Sequence, residues 1–175
     1  MLWFIKGYLA EPYCKADMTV HFSQFNYVVL NCGHIPASST HYTYTSYRND
    51  VSSLFNSILS AQLPPTTLLF WIESLAPPLH IDEHSIQRQD QRTYHRMLIY
   101  HQIVQDEILH KGLKNRIALV PGFQSTLALF DKMCDCEGYP PTVIVPQLMS
   151  LIDSIHKSIN RMGLIMKIGK EDQIL

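Results

Sequence analysis

Residues 25–59 read FNYVVLNCGHIPASSTHYTYTSYRNDVSSLFNSIL, and the fold turns on this stretch. It opens on a compact apolar run, Tyr27-Val28-Val29-Leu30, short and β-branched at its centre. Such a run predicts a buried strand rather than a helix. The run stops on Asn31-Cys32-Gly33-His34, where an amide, a thiol, a glycine and an imidazole fall within four residues. A Pro/Ala/Ser/Thr loop then leads to Tyr47, Val51, Leu54, Phe55, Ile58 and Leu59, which share one helical stripe and predict a helix over 44–62. Strand, polar loop, helix is the unit that sets functional groups at the carboxyl edge of a parallel sheet. Gly33, without a side chain, lets backbone approach a ligand closely. The same residues also have a plainer reading, a loop glycine with a satisfied histidine beside it.

The pattern repeats outward from that stretch. Leu2–Leu9 (LWFIKGYL) is aromatic-rich and predicts a strand; residues 10–24 form a mixed loop with a short helical turn around 16–22. Pro64-Pro65 ends the helix, and Thr67–Ser74 (TLLFWIES) is a second buried-strand run. The proline-broken loop Leu75–Ser85 falls at the same sheet edge as His34. From Asp90, the residues Tyr94, Met97, Leu98, His101, Val104, Ile108 and Leu109 share a helical face that Gly112 brings to a stop. Arg116–Val120 (RIALV) is a third strand, ended by Pro121-Gly122. Residues 123–141 read as irregular, a last helix spans about 145–162, and 164–175 form a tail. Short apolar segments alternating with amphipathic helices predict one α/β domain over 1–163, with a mainly parallel sheet and right-handed crossovers.

Composition narrows the function classes. With 46% hydrophobic and 17% charged residues the chain is globular and fairly apolar. Fourteen basic against 15 acidic residues, without a like-charge run, leave no nucleic-acid footprint. The apolar runs break well short of the ~20 residues of a membrane span, and the first ten residues, with Lys6 among them, do not read as a secretory leader. Cys134 and Cys136 are too close to pair easily; a disulfide from Cys14 to one of the other cysteines is open to a luminal chain, and the sequence assigns no partner.

No nucleophile elbow, Gly-Asp-Ser block, Walker loop or dinucleotide fingerprint occurs, so Ser38, Ser39 and Ser125 read as loop serines. His80 and His84 lie four apart, but two prolines precede them and no helix signal joins them; no metal site is assigned. His95, His101 and His110 read as solvated or half-buried helix residues. No metal or organic cofactor is expected.

Four segments in order carry a resemblance: Tyr27 through Asn31-Cys32-Gly33-His34 to Tyr42-Thr43-Tyr44; Trp71-Ile72-Glu73; residues 90–96 (DQRTYHR); and Asp135-Cys136-Glu137-Gly138-Tyr139. Together they resemble the PC-esterase branch of the SGNH/GDSL superfamily, with its trichome-birefringence-like and fungal sugar O-acetyltransferases, over residues 25–155. The resemblance implies a three-layer α/β/α, flavodoxin-like domain in which an acyl-serine hydrolyses or transfers O-acetyl groups on glycans. It implies an acetylated glycan or acyl donor as partner, and a secretory-pathway, Golgi or extracellular setting. Carried over residue by residue, Asn31 and Gly33 become candidate oxyanion or substrate-carbonyl donors, His34 a pocket residue, and Asp135 the acid of an Asp-x-x-His motif.

Two departures matter. The Gly-Asp-Ser block is missing and would fall upstream of Met1, and Gly138 stands where the motif needs its histidine. A general base is commonly worth about 100- to 10,000-fold in rate, so the expectation is a degenerate or truncated member with weak or no turnover. One alternative keeps the enzyme, with an upstream serine and His156 as base. Another is a non-catalytic interaction or carbohydrate-binding domain with an exposed aromatic patch of Tyr42, Tyr44 and Tyr47.

Overall fold

The computed structural model describes residues 3–4, 16–77, 92–127, 149, 152–157 and 160. Four strands, β1 (Trp3–Phe4), β2 (Tyr27–Leu30), β3 (Leu68–Ile72) and β4 (Ile117–Val120), form one sheet in the order β1-β2-β3-β4. Every pairing is parallel. Leu30 stands opposite Trp71 and Ile72 opposite Val120, so β2, β3 and β4 finish within about a residue of one another. That alignment gathers the residues after each strand on one edge. The mixed α/β architecture and parallel sheet expected of the sequence are present.

Parallel neighbours need long crossovers, and helices supply them. α1 (His34–Ser38) and α2 (Tyr44–Ser60) join β2 to β3; α3 (Tyr94–His110) lies between β3 and β4; α4 (Phe123–Leu127) follows β4. Side chains alternate across a strand, so the sheet has two apolar faces. Val28, Leu30, Leu69, Trp71 and Ile117 share a core with Tyr47, Val51, Leu54, Phe55 and Ile58 of α2 and with Met97, Tyr100, Ile103, Val104 and Ile108 of α3. Val29, Phe70 and Val120 pack on the other face, where Ile155 of the helical segment 152–157 joins them. Two successive crossovers stepping the same way place α2 and α3 on one side, as a single hand of crossover requires.

Local signals set the helix ends. Thr43 Oγ1 accepts a hydrogen bond from the Ser46 N–H at 3.0 Å, and Thr93 Oγ1 accepts one from Arg96 N–H at 3.2 Å, each capping its helix. After α3, Gly112 takes φ +67°, a left-handed conformation that glycine adopts without penalty.

Of the strand read over 2–9, Trp3–Phe4 forms β1 and the other residues lie outside the described ones. Other expectations are refined or corrected. The turn near 16–22 is a 3-10 helix, Ala16–Gln24, whose Phe22 enters the main core. The loop after Gly33 contains α1: Pro36 occupies its first turn, where a missing N–H costs nothing. Residues 123–127, read as irregular, form α4. Leu59 is exposed at the edge of its stripe, and Tyr94, Leu98 and Leu109 are exposed on α3 while Tyr100 and Ile103 turn inward. The buried arc of α3 is thus rotated from the one read off the sequence, with Tyr100 packed against two aromatic rings of α2, Tyr44 and Tyr47.

Candidate functional site

The polar residues that follow β2, β3 and β4 meet at the carboxyl edge of the sheet. Asn31, one residue past β2, donates from Nδ2 to the Ile72 carbonyl at 2.8 Å, and a longer contact of 3.4 Å reaches Ser74 Oγ. The amide therefore staples the end of β2 to the end of β3. Gly33 is buried beside the same serine: a Cβ built on it would lie 2.5 Å from Ser74 Oγ. Gly33 is required here for room, not for dihedral freedom.

The backbone of this loop is held from α2 and α3. Tyr47 Oη donates to the Cys32 carbonyl. Burial, with a smaller contribution from Tyr100, raises the Tyr47 phenol far above its ordinary pKa, which keeps the donor proton in place. Tyr47 stacks on Tyr100 with ring centroids 4.0 Å apart. Arg96 Nη2 donates to the carbonyls of Ser39, at 3.0 Å, and Tyr42. The Arg96 guanidinium also lies over the Tyr44 and Tyr100 rings, 5.7 and 5.6 Å from their centroids. Cys32 is disulfide-bonded, so a covalent bond reinforces this clamp.

His34 opens α1 half-buried, and its Nδ1 lies 2.9 Å from Arg92 Nη1, just before the α3 cap. On the other side of β3, Glu73 Oε2 accepts a hydrogen bond from the Gly122 N–H at 3.3 Å. Gly122 is packed even more tightly than Gly33, since its Cβ would meet the Glu73 carbonyl oxygen at 2.2 Å. Thr126 Oγ1 accepts from Ala76 N–H at 2.9 Å and donates to the Gly122 carbonyl at 2.7 Å, which fastens α4 to the segment after β3.

His101 lies under this edge, buried against Phe123 with centroids 4.8 Å apart. Its Nε2 is buried without a hydrogen-bond partner. Burial lowers its pKa below the ordinary histidine value, opposed in part by the Glu73 charge and the Ser74 backbone. His101, read as a solvated or half-buried helix residue, is buried, on the same face as Met97, Val104 and Ile108 with which its spacing grouped it.

Of the residues singled out from sequence, Asn31, Gly33 and His34 fall together on this edge. Asp135 and Gly138 lie outside the described residues, as do His80, His84, Cys14, Cys134 and Cys136. His156 is exposed on segment 152–157. Among the described residues no group of three or more His, Cys, Asp or Glu could hold a metal ion. None of the described helices is long and apolar enough to cross a membrane. The aromatic patch does not form: Tyr42 and Tyr47 are 2% and 1% exposed, and only Tyr44, at 42%, reaches the surface. Tyr42 turns inward to donate to Asp50.

Sequence reasoning missed Ser74, Arg92 and Glu73 as members of this edge. Ser74 was within reach of the reading, since residues just past a central strand fall on the same edge as those past its neighbour. Arg92 gave no such signal; its approach to His34 depends on how α3 starts.

No family model, curated protein or solved structure matches the chain. The fold and site define an α/β protein with a parallel sheet and a polar, closely packed site at the carboxyl ends of its central strands.

Proposed function

We propose that the chain is an SGNH-like domain related to glycan O-acetyl esterases and O-acetyltransferases, holding the scaffold and acyl-binding edge of that family without a complete catalytic triad. The observation that carries this reading is the convergence of Asn31, Gly33 and His34 with Ser74 and Arg92 at the carboxyl edge of the parallel sheet. Open α/β sheets bind their ligands at that edge. The second, long contact of Asn31 Nδ2 to Ser74 is weak enough to give way to an acyl carbonyl, while the bond to Ile72 keeps the side chain aimed. With Gly138 in the base position, binding of an acetylated saccharide outlasts its turnover. The Cys32 disulfide supports an oxidising compartment, in line with a secretory-pathway setting.

The test has two arms. Turnover of 4-nitrophenyl acetate by the chain and by its Asp135→Ala variant is expected to be at background in both. An O-acetylated oligosaccharide, but not its de-acetylated form, is expected to shift the amide signals of Asn31, Gly33 and His34. Unchanged signals with both saccharides would remove the acyl-glycan reading. Turnover lost in Asp135→Ala would instead reveal a working enzyme with another nucleophile and base.

A further inference from the structure

His101 Nε2 is buried without a hydrogen-bond partner, and α4 packs directly on its ring. The imidazole meets the Phe123 ring with centroids 4.8 Å apart, and the Tyr94 phenol packs on Phe123 at 5.4 Å. In the imidazolium both ring nitrogens carry protons, so Nε2 becomes an N–H donor with nothing to receive it. A buried donor left unmet is unfavourable, and a charged one more so. The closed arrangement therefore suits the neutral ring.

α4 is held lightly. It spans five residues, Phe123–Leu127, too few for a helix to persist on its own bonds. Thr126 Oγ1 accepts from Ala76 N–H at 2.9 Å, and Glu73 Oε2 receives Gly122 N–H at 3.3 Å just before the helix. Charge around the ring is one-sided. Glu73, on the segment after β3, acts on His101 and, with the Ser74 backbone, favours its protonated form. Gln105 Nε2, at 3.5 Å, and Gly122 N–H already engage that carboxylate. None of the five residues of α4 ionises, nor do Met97, Leu98, Val104 and Gln105, one turn away on α3. Burial outweighs Glu73 and holds the ring below its ordinary pKa.

We propose that His101 is a proton-sensitive latch for α4: neutral, it lets Phe123 close over the segment after β3, and protonated, it favours release of α4 while the sheet stays folded. Ser74, on that segment, belongs to the strand edge, so the latch sets how firmly one wall of the candidate site is held. It needs no ligand and goes beyond the acyl-glycan reading. Proton linkage sets the direction. With α4 released, water reaches the imidazole and its pKa returns to about 6.5. Below that value the released state takes up the proton more readily than the closed one. Its share then rises by up to about tenfold per pH unit, until the pKa of the closed state is reached.

Amide hydrogen exchange of the whole chain between about pH 8 and about pH 5, corrected for intrinsic rates, tests this. The N–H groups of Thr126 and Ala76 report on the joint, and those of β2 and β3 on the sheet. The joint is expected to be less protected than the sheet at every pH, and to lose up to about tenfold per unit below about pH 6.5. Equal protection of joint and sheet would mean that the chain opens as a whole, and would overturn the latch. A joint whose protection ignores pH would overturn it without any variant. In His101→Gln the pH dependence at Thr126 and Ala76 is expected to vanish; its survival would exclude His101 as the sensor. Glu73→Gln keeps an acceptor oxygen for Gly122 N–H and is expected to retain the dependence. Its loss there would make Glu73 the titrating group and end the proposal.

Discussion

Gly33 and Gly122 show how much of the site is a question of space. A methyl group on Gly33 meets the far end of one side chain, Ser74 Oγ, whereas on Gly122 it meets the Glu73 backbone oxygen, which has nowhere to go. Gly33→Ala is therefore expected to cost about 1–3 kcal/mol, the usual range for overpacking. Gly122→Ala is expected to cost more. In a Ser74→Ala background the Gly33→Ala cost is expected to shrink, because the clashing oxygen is gone; urea denaturation of the four proteins of that double-mutant cycle measures the coupling. An additive result would place the strain elsewhere.

His101 gives a pH dependence whose sign follows from its burial. The native pKa is depressed, so the unfolded chain binds the proton more readily. Its contribution to stability is full above the unfolded value of about 6.5 and is lost as pH falls below it. Chemical denaturation between about pH 8 and about pH 5 is expected to show stability declining through that window. The slope should be shallower in His101→Gln. The crowding at neither glycine was legible in the sequence, since each depends on atoms dozens of residues away, whereas His101 fell on the apolar face of its helical pattern. Asn31, Gly33 and His34 were legible, because a polar cluster ending an apolar run marks a strand end wherever the strand is placed.

At the scale of elements, the strands and the two long helices were readable because their periodicities are local properties of the chain. Each observed boundary falls close to a signal present in the sequence: threonine caps at positions 43 and 93, Pro64-Pro65 after α2, Gly112 after α3. What escaped was the angular setting of α3. Helical spacing grouped Tyr94, Leu98 and Leu109 with the core, yet stacking of Tyr100 on Tyr47 turns a different arc inward. The α3 cap offers a test at this scale. Thr93→Ala is expected to lower stability by about 1 kcal/mol, the common value for a lost N-cap. Fraying of the first turn should reach Arg92 as well, so the His34 ring signals are expected to broaden in this variant. Unaltered ring signals would mean that Arg92 keeps its position without the cap.

At the scale of the whole molecule, a parallel sheet covered by α2 and α3 on one face and by Ile155 on the other explains why its central strands read as nearly continuous apolar runs. Folding such a sheet requires pairing of strands distant in sequence, and a covalent tether shortens that search. Removing a native disulfide commonly costs about 2–5 kcal/mol. Cys32→Ser is expected to fall in that range, read as a lowered melting temperature that matches the wild type measured with reductant present. A free Cys32 thiol, alkylated in the native oxidised protein, would contradict this.

The position of that tether bears on how the protein should be prepared. Cys32 sits between Asn31 and Gly33, so the bond that crosslinks the chain also borders the site. Material produced in a reducing cytosol would carry a slack loop at the very edge under test, and a silent assay would then describe the preparation. Periplasmic or secreted expression, with a thiol count on each batch before any ligand is added, makes the oxidation state of one cysteine a measured variable of every binding and turnover experiment.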